Sequence, residues 1–315
     1  MADHGTAIEW TQAPGFKGET WNPTVGCDRV SPGCANCYAM ALAPRLRAMQ
    51  QARGGGVWAD APDGGPASGP AFGLQLVEDR VTQPLRWEKP RMVFVNSMSD
   101  LFHDQVPDAF IARVFAVMAL AHRHTFQVLT KRPERMRDLL GSPRWNRLLA
   151  DAILGVGTHD VEVFSDSPAV LPNVWLGVSI ENRRFVGRAD VLRATPAAVR
   201  FISAEPLLGP LTVPATGARF RAYGDRAPRD YREALSLRHI DWLIVGGESG
   251  PGARRFDADW ARDLRFDASS PGDPKFRTAF FVKQIGGLKP GTRLEDLPED
   301  LRIREWPEAV THAAR

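Results

Sequence analysis

Cysteine is nearly absent from this chain. Three occur in 315 residues, and all lie between Cys27 and Cys37. A scaffold stapled by disulfides is excluded, because one bridge would strand the third thiol. Lysine is scarce too, with 6 residues against 34 arginines. Alongside abundant Ala, Gly and Pro, that skew reads as codon bias, so most arginines are expected on solvated surface. A net charge of +3 carries no signature of a general polyanion binder. No apolar run reaches the roughly eighteen residues of a membrane span. No basic-then-apolar leader is seen, so the expectation is a cytoplasmic chain that is neither exported nor membrane-bound. No G-x-G-x-x-G follows an apolar strand, and Gly54-Gly55-Gly56 lacks the Lys-Ser/Thr of a phosphate loop.

What is present is concentrated in one stretch. Cys27, Cys34 and Cys37 have the spacing C-x6-C-x2-C, in a loop bent by Gly26 and Gly33. Thiolates this close in sequence can converge on one metal or cluster. Three ligands rather than four is informative. A structural zinc site is normally closed by four, whereas a cubane held by three thiolates leaves one iron open to a small molecule. Zinc with a distant fourth ligand such as His103 is the other reading of the same residues.

Further on, short apolar runs alternate with helical spacing. The runs are 92–95, 126–129, 174–178, 200–202, 242–245 and 279–282, with another segment before Cys27. Between the first two, 107–121 has Phe110, Val114, Met118 and Ala121 along one helical face. Residues 38–49 also have helical spacing, interrupted by Pro44. Fully apolar strands alternating with helices predict a parallel sheet covered on both faces. The expected fold is α/β, a partial (β/α) barrel of about six to seven parallel strands in a single domain over residues 1–315. A Gly/Pro-rich stretch at 53–73 is expected to be a mobile loop, and an Arg-rich insertion is expected at about 215–238.

A barrel is favoured over an open sheet because nearly every strand ends in a polar cluster. In a barrel such ends converge on one mouth. The ring would comprise Ser97, Ser99, Asp100, Lys131, Ser179, Glu181, Asn182, Ser203, Glu205, Gly246, Gly247, Glu248 and Lys283. Ser99, Asp100 and Asn182 could equally be helix caps, and Gly246-Gly247 a plain turn. His103, Lys131 and Lys283 are the candidates for catalytic groups, with Asp104 beside His103. Lys131, Arg132, Arg254, Arg255 and Lys283 would form a cationic rim suited to one or a few phosphates.

These motifs carry a resemblance. TWNPTVGC-x6-C-x2-CYA, NSMSDLFH, LTKRPERM, PNVWLGVSIEN, SAEPLLGPL, IVGGESGPGAR and FFVKQIGG, over about residues 8–287, resemble a phage-associated three-cysteine-motif protein family. That family looks related to radical S-adenosylmethionine (SAM) enzymes. The resemblance implies a [4Fe-4S] cluster on Cys27, Cys34 and Cys37, with SAM on the open iron. Two departures stand out. The common radical SAM loop is C-x3-C-x2-C, and its acidic GGE motif follows the second strand, where this chain has Asn96-Ser97-Met98-Ser99-Asp100. Contacts to the SAM amino group therefore fall to Ser97, Ser99 and Asp100, and ribose contacts to Ser179, Glu181 and Asn182.

The expected function is reductive cleavage of SAM to a 5′-deoxyadenosyl radical acting on a nucleotide or nucleic-acid base. The expected partners are that substrate and an electron donor such as flavodoxin or ferredoxin. The alternative is a nucleic-acid-binding or accessory protein stabilised by zinc or an Fe–S cluster, without radical chemistry.

Overall fold

The computed structural model describes residues 5–62, 68–157, 167–212, 234–269, 277–287 and 293–309. Seven strands form one sheet: β1 (Lys17–Trp21), β2 (Arg91–Val95), β3 (Thr125–Thr130), β4 (Val174–Ser179), β5 (Val199–Ala204), β6 (Trp242–Gly246) and β7 (Ala279–Gln284). They stand in sequence order and every pairing is parallel. The sheet curls into a half-barrel with β1 and β7 at its edges, as the alternation of apolar runs and helical segments predicts.

Side-chain alternation separates two cores. In β4, Val174, Leu176 and Val178 face outward into the layer beneath the helices, while Trp175 faces the lumen. Gly177 also faces inward, since a Cβ there would stand 2.4 Å from the Phe201 ring. Only glycine lets that ring cross the strand. Below the mouth the lumen is filled by Phe94, Trp175, Phe201, Trp242 and Phe281, with Trp10 entering from the N-terminal arm. The Trp10 ring lies 4.6 Å from Phe94 and 6.1 Å from Trp242. The base of the half-barrel is thus a packed aromatic floor.

The outer layer contains α1 (Tyr38–Gln51), α2 (Asp108–Leu120), α3 (Pro133–Leu140), α4 (Trp145–Val156), α5 (Arg188–Arg193) and α6 (Ala258–Ser269). None of the described helices is long and apolar enough to cross a membrane. Two departures from the sequence reading have physical causes. Pro44 does not interrupt α1, because Ala39, Met40 and Ala43 hold it on Val25, Trp58 and Phe72 through that turn. In α2 the burial exceeds one face, because α4 covers a second face; Phe115 meets Trp145 edge-on at 5.1 Å.

Within the Gly/Pro-rich stretch, Trp58 stacks on Phe72 at 6.2 Å, and both are buried. Residues 63–67 of that stretch and 213–233 of the Arg-rich insertion lie outside the described residues.

His124, just before β3, is buried, and its Nδ1 accepts from the Arg91 backbone N–H at 3.2 Å. Burial pushes its pKa down to about 4, with Arg123 and Arg91 adding to the effect. An unfolded histidine titrates near 6.5. Between those values the unfolded chain binds more protons, so stability is unaffected above the interval and falls as pH drops through it. The expected loss is roughly 3 kcal/mol by the bottom of the interval. Urea denaturation of wild type and His124→Gln across it should show the shallower pH dependence in the variant. Equal slopes would remove His124 as the cause.

Candidate functional site

The inward alternation continues to the strand ends and just past them. Ile180 packs outward, so Glu181 turns inward; Ala204 packs outward, so Glu205 turns inward; Val282 packs outward, so Lys283 turns inward. Lys131 follows Leu129 on the same face of β3. The strand ends therefore do converge on a mouth.

The cysteine loop lies across that mouth. Gly33 packs directly between two ring residues: a Cβ there would stand 3.4 Å from the Glu181 carboxyl carbon and 3.5 Å from Lys131 Cε. On the β6 side, Asn36 donates to Glu248 at 2.8 Å, and Arg254 Nη2 donates to the Pro32 carbonyl at 2.9 Å. Arg254 also clamps Glu248 at 2.5 Å and 3.0 Å. Burial alone would raise the pKa of Glu248, but Arg254 and Asn36 together hold it down at about 2. This clasp ties the first loop to the sixth strand, and neither Asn36 nor Arg254 announces that role in so arginine-rich a sequence.

Charges in the mouth are largely paired. Arg132 meets Asp100 at 3.2 Å, Arg188 meets Glu181 at 3.1 Å, and Lys283 meets Glu205 at 2.6 Å. The open cationic rim expected from Arg132, Arg254 and Lys283 is therefore corrected: each sits against a carboxylate. Lys131 and the exposed Arg255 are the exceptions: among the described residues neither side chain has a hydrogen-bonding or ion-pair partner. Arg183, two residues past Glu181, has Nε and Nη2 covered and without a partner. That edge of a guanidinium is the one that takes a carboxylate or phosphate bidentately.

Glu181 is the most unusual group. The residue is 0% exposed; one carboxylate oxygen binds Arg188, and the other, Oε1, has no partner among the described residues. A buried acceptor left unpaired costs about 1–3 kcal/mol. Sequence reading picks out Glu181 but not Arg188, its partner seven residues on.

Other expected ligands are already bonded within the scaffold. Ser97 shares hydrogen bonds with Asn22 at 3.2 Å, and Ser99 Oγ donates to the Thr24 carbonyl at 2.9 Å. Asp100 accepts from the Phe102 and Lys131 backbone N–H groups and from Thr130 Oγ1, as well as pairing with Arg132. These three knit β1, β2 and β3 together. Asn182 caps the turn after β4, accepting from the Arg184 N–H at 3.1 Å. Gly246 makes room for Glu205, whose carboxyl carbon is 3.3 Å from where its Cβ would be, and Gly247 allows the chain at Ile285-Gly286 to approach. Ser179 and Ser203 lie side by side in register, both buried.

His103 is committed on both nitrogens. The Gln105 backbone N–H donates to Nδ1 at 3.2 Å, so Nε2 carries the proton and donates to Asp28 at 3.0 Å. It anchors the residue next to Cys27 and turns neither nitrogen toward the thiols.

All three cysteines are free and half-buried. Cys37 is the N-cap of α1. Arg132 Nη1 donates to the Cys27 sulfur at 3.6 Å. Burial and nearby Asp100 nonetheless push the metal-free Cys27 thiol up to about 12. Among the described residues no three His, Cys, Asp or Glu side chains are grouped to hold one ion. A cubane asks for a wider triangle, since each thiolate binds a different iron. The donor set, three thiols from one loop, could bind a cluster.

Fold and site together define a parallel half-barrel with a three-cysteine loop drawn across its mouth. Residues 5–307 match the model of a family described as "Protein of unknown function (DUF5131)", and the chain belongs to that family. No match is found among curated proteins, and none among solved structures.

Proposed function

We propose that this protein is a radical SAM-type enzyme. The observation that carries the reading is the buried, unpaired Glu181 Oε1, set with Lys131 against Gly33 of the cysteine loop. Cys27, Cys34 and Cys37 would hold a [4Fe-4S] cluster, which when bound supplies the electron that cleaves SAM to a 5′-deoxyadenosyl radical. Glu181 Oε1 would accept from a ribose hydroxyl, ending its isolation. Ser179 and Ser203 line the same side. The aromatic floor closes the lumen below and keeps water from the reacting centre.

The paired cations argue for a small substrate. With Arg132, Arg188, Arg254 and Lys283 held by carboxylates, Lys131, Arg183 and the exposed Arg255 remain to take an anionic group. That provision suits the phosphate of one nucleotide, or of one extruded base, better than a tract of backbone.

Anaerobically reconstituted protein should be brown and should bind SAM in titration calorimetry. Glu181→Gln retains the shape and should weaken that binding several-fold, by about 0.5–3 kcal/mol, at unchanged iron content. A colourless protein with one zinc and no SAM binding would overturn the proposal in favour of a metal-stabilised accessory protein.

A further inference from the structure

The sheet face of α1 is well covered, but its other face is not. Tyr38, Leu42, Arg45 and Met49 follow one another at the spacing that lines up residues on a helix, and all are exposed. Tyr38 is 51% exposed, Leu42 41% and Met49 44%. Val30, in the cysteine loop, is 41% exposed. Of the nine large apolar residues exposed among the described residues, these four fall within twenty positions. The others stand singly along the chain. A clustered apolar surface is the kind that marks an interaction site. Tyr38, the residue after Cys37, stands at its edge, with its hydroxyl donating to the Ser97 carbonyl at the mouth.

The same segment is electrostatically one-sided. Residues 27–56 contain Arg29, Arg45, Arg47 and Arg53 against a single acid, Asp28. Arg47 is neutralised by Asp60 at 2.8 Å, and Asp28 is held by His103. Arg45 and Arg53 are exposed at the margins of the apolar line. An apolar centre with a cationic rim fits a partner with an acidic rim around an apolar contact.

We infer that the exposed face of α1, with Val30, is the docking surface for an acidic electron-carrier protein. The inference rests on the cluster proposed above, because a cluster held by this loop needs one electron for each turnover. The carrier, a reduced flavodoxin or ferredoxin, is oxidised by one electron and the cluster is reduced by one; no bond forms or breaks. Docking on α1 places the carrier against the helix whose N-cap is Cys37.

The test compares wild type, Leu42→Asp with Met49→Asp, and Arg45→Glu. All three positions face solvent, so the variants should fold and take up equal iron. A strongly acidic flavodoxin is the probe, and cluster bleaching is followed by stopped-flow absorbance. Reduction by flavodoxin should slow about tenfold or more in both variants, and the Arg45→Glu deficit should shrink as salt rises. Reduction by dithionite, a small ion needing no docking surface, should be the same in all three. Flavodoxin rates equal to wild type in both variants would overturn the surface. Calorimetric titration of flavodoxin onto the protein as purified separates this inference from the cluster reading. If no iron is incorporated, the cluster reading fails; binding lost in the variants still supports the surface, and no binding to wild type overturns it.

Discussion

Replacing any one of Cys27, Cys34 and Cys37 with serine should abolish the cluster. Wild type reconstituted without oxygen should carry about four irons and their visible absorbance, and each variant little of either. Each thiolate would bind its own iron, so no remaining cysteine substitutes for a missing one. A serine hydroxyl stays protonated near neutral pH and is a poor iron ligand. The fold should survive, because all three cysteines are only half-buried. Their loop is also pinned independently, by Asn36 to Glu248, by Arg254 to Pro32, and by His103 to Asp28. Melting temperatures of the metal-free variants should therefore stay close to wild type. Iron retained in all three variants would place the metal elsewhere. Stoichiometric zinc lost in all three would keep the site and change the metal.

Trp242→Ala should be the most damaging single change in the lumen. Trp242 is 0% exposed and meets Trp10, Trp175, Phe201 and Phe281 at ring separations of 5.9–6.1 Å. Its Nε1 donates to the Glu305 carbonyl at 2.8 Å, tying the C-terminal segment to the floor. Four aromatic rings cannot collapse into the space left by an indole, so a cavity would persist. The expected loss is about 3–5 kcal/mol in urea denaturation. Trp242→Phe keeps most of the volume but loses the hydrogen bond, and should cost much less, about 1–2 kcal/mol. If the two variants lost equal stability, the Glu305 bond rather than packing would be the important contribution.

The half-barrel is legible in the sequence because each strand states its own environment. A strand buried on both faces is apolar throughout, and a polar residue appears where it leaves the sheet, as in Val174-Trp-Leu-Gly-Val178 followed by Ser179. The cysteine triplet is legible for a similar reason: its three chemical groups are neighbours in the chain. Glu181 and Lys131 could be named as facing a mouth because the period of a strand is short and regular. All of these are local signals, settled within a few residues.

Pairing across the mouth is not local. Nothing near Asp100 indicates that it would be occupied by two backbone N–H groups, Thr130 and Arg132, and nothing near Arg254 points to Pro32, 222 residues away. A carboxylate looks the same in sequence whether it awaits a ligand or already holds an arginine. Only the curl of the sheet, bringing the ends of β1, β3, β4 and β6 together, decides that Glu248 is clasped and Glu181 left with one oxygen bare. Amino-acid order determines the strands, the thiols and the direction of each side chain. Tertiary structure decides which charges cancel, because cancellation depends on distances of about 3 Å between groups that the chain itself keeps far apart.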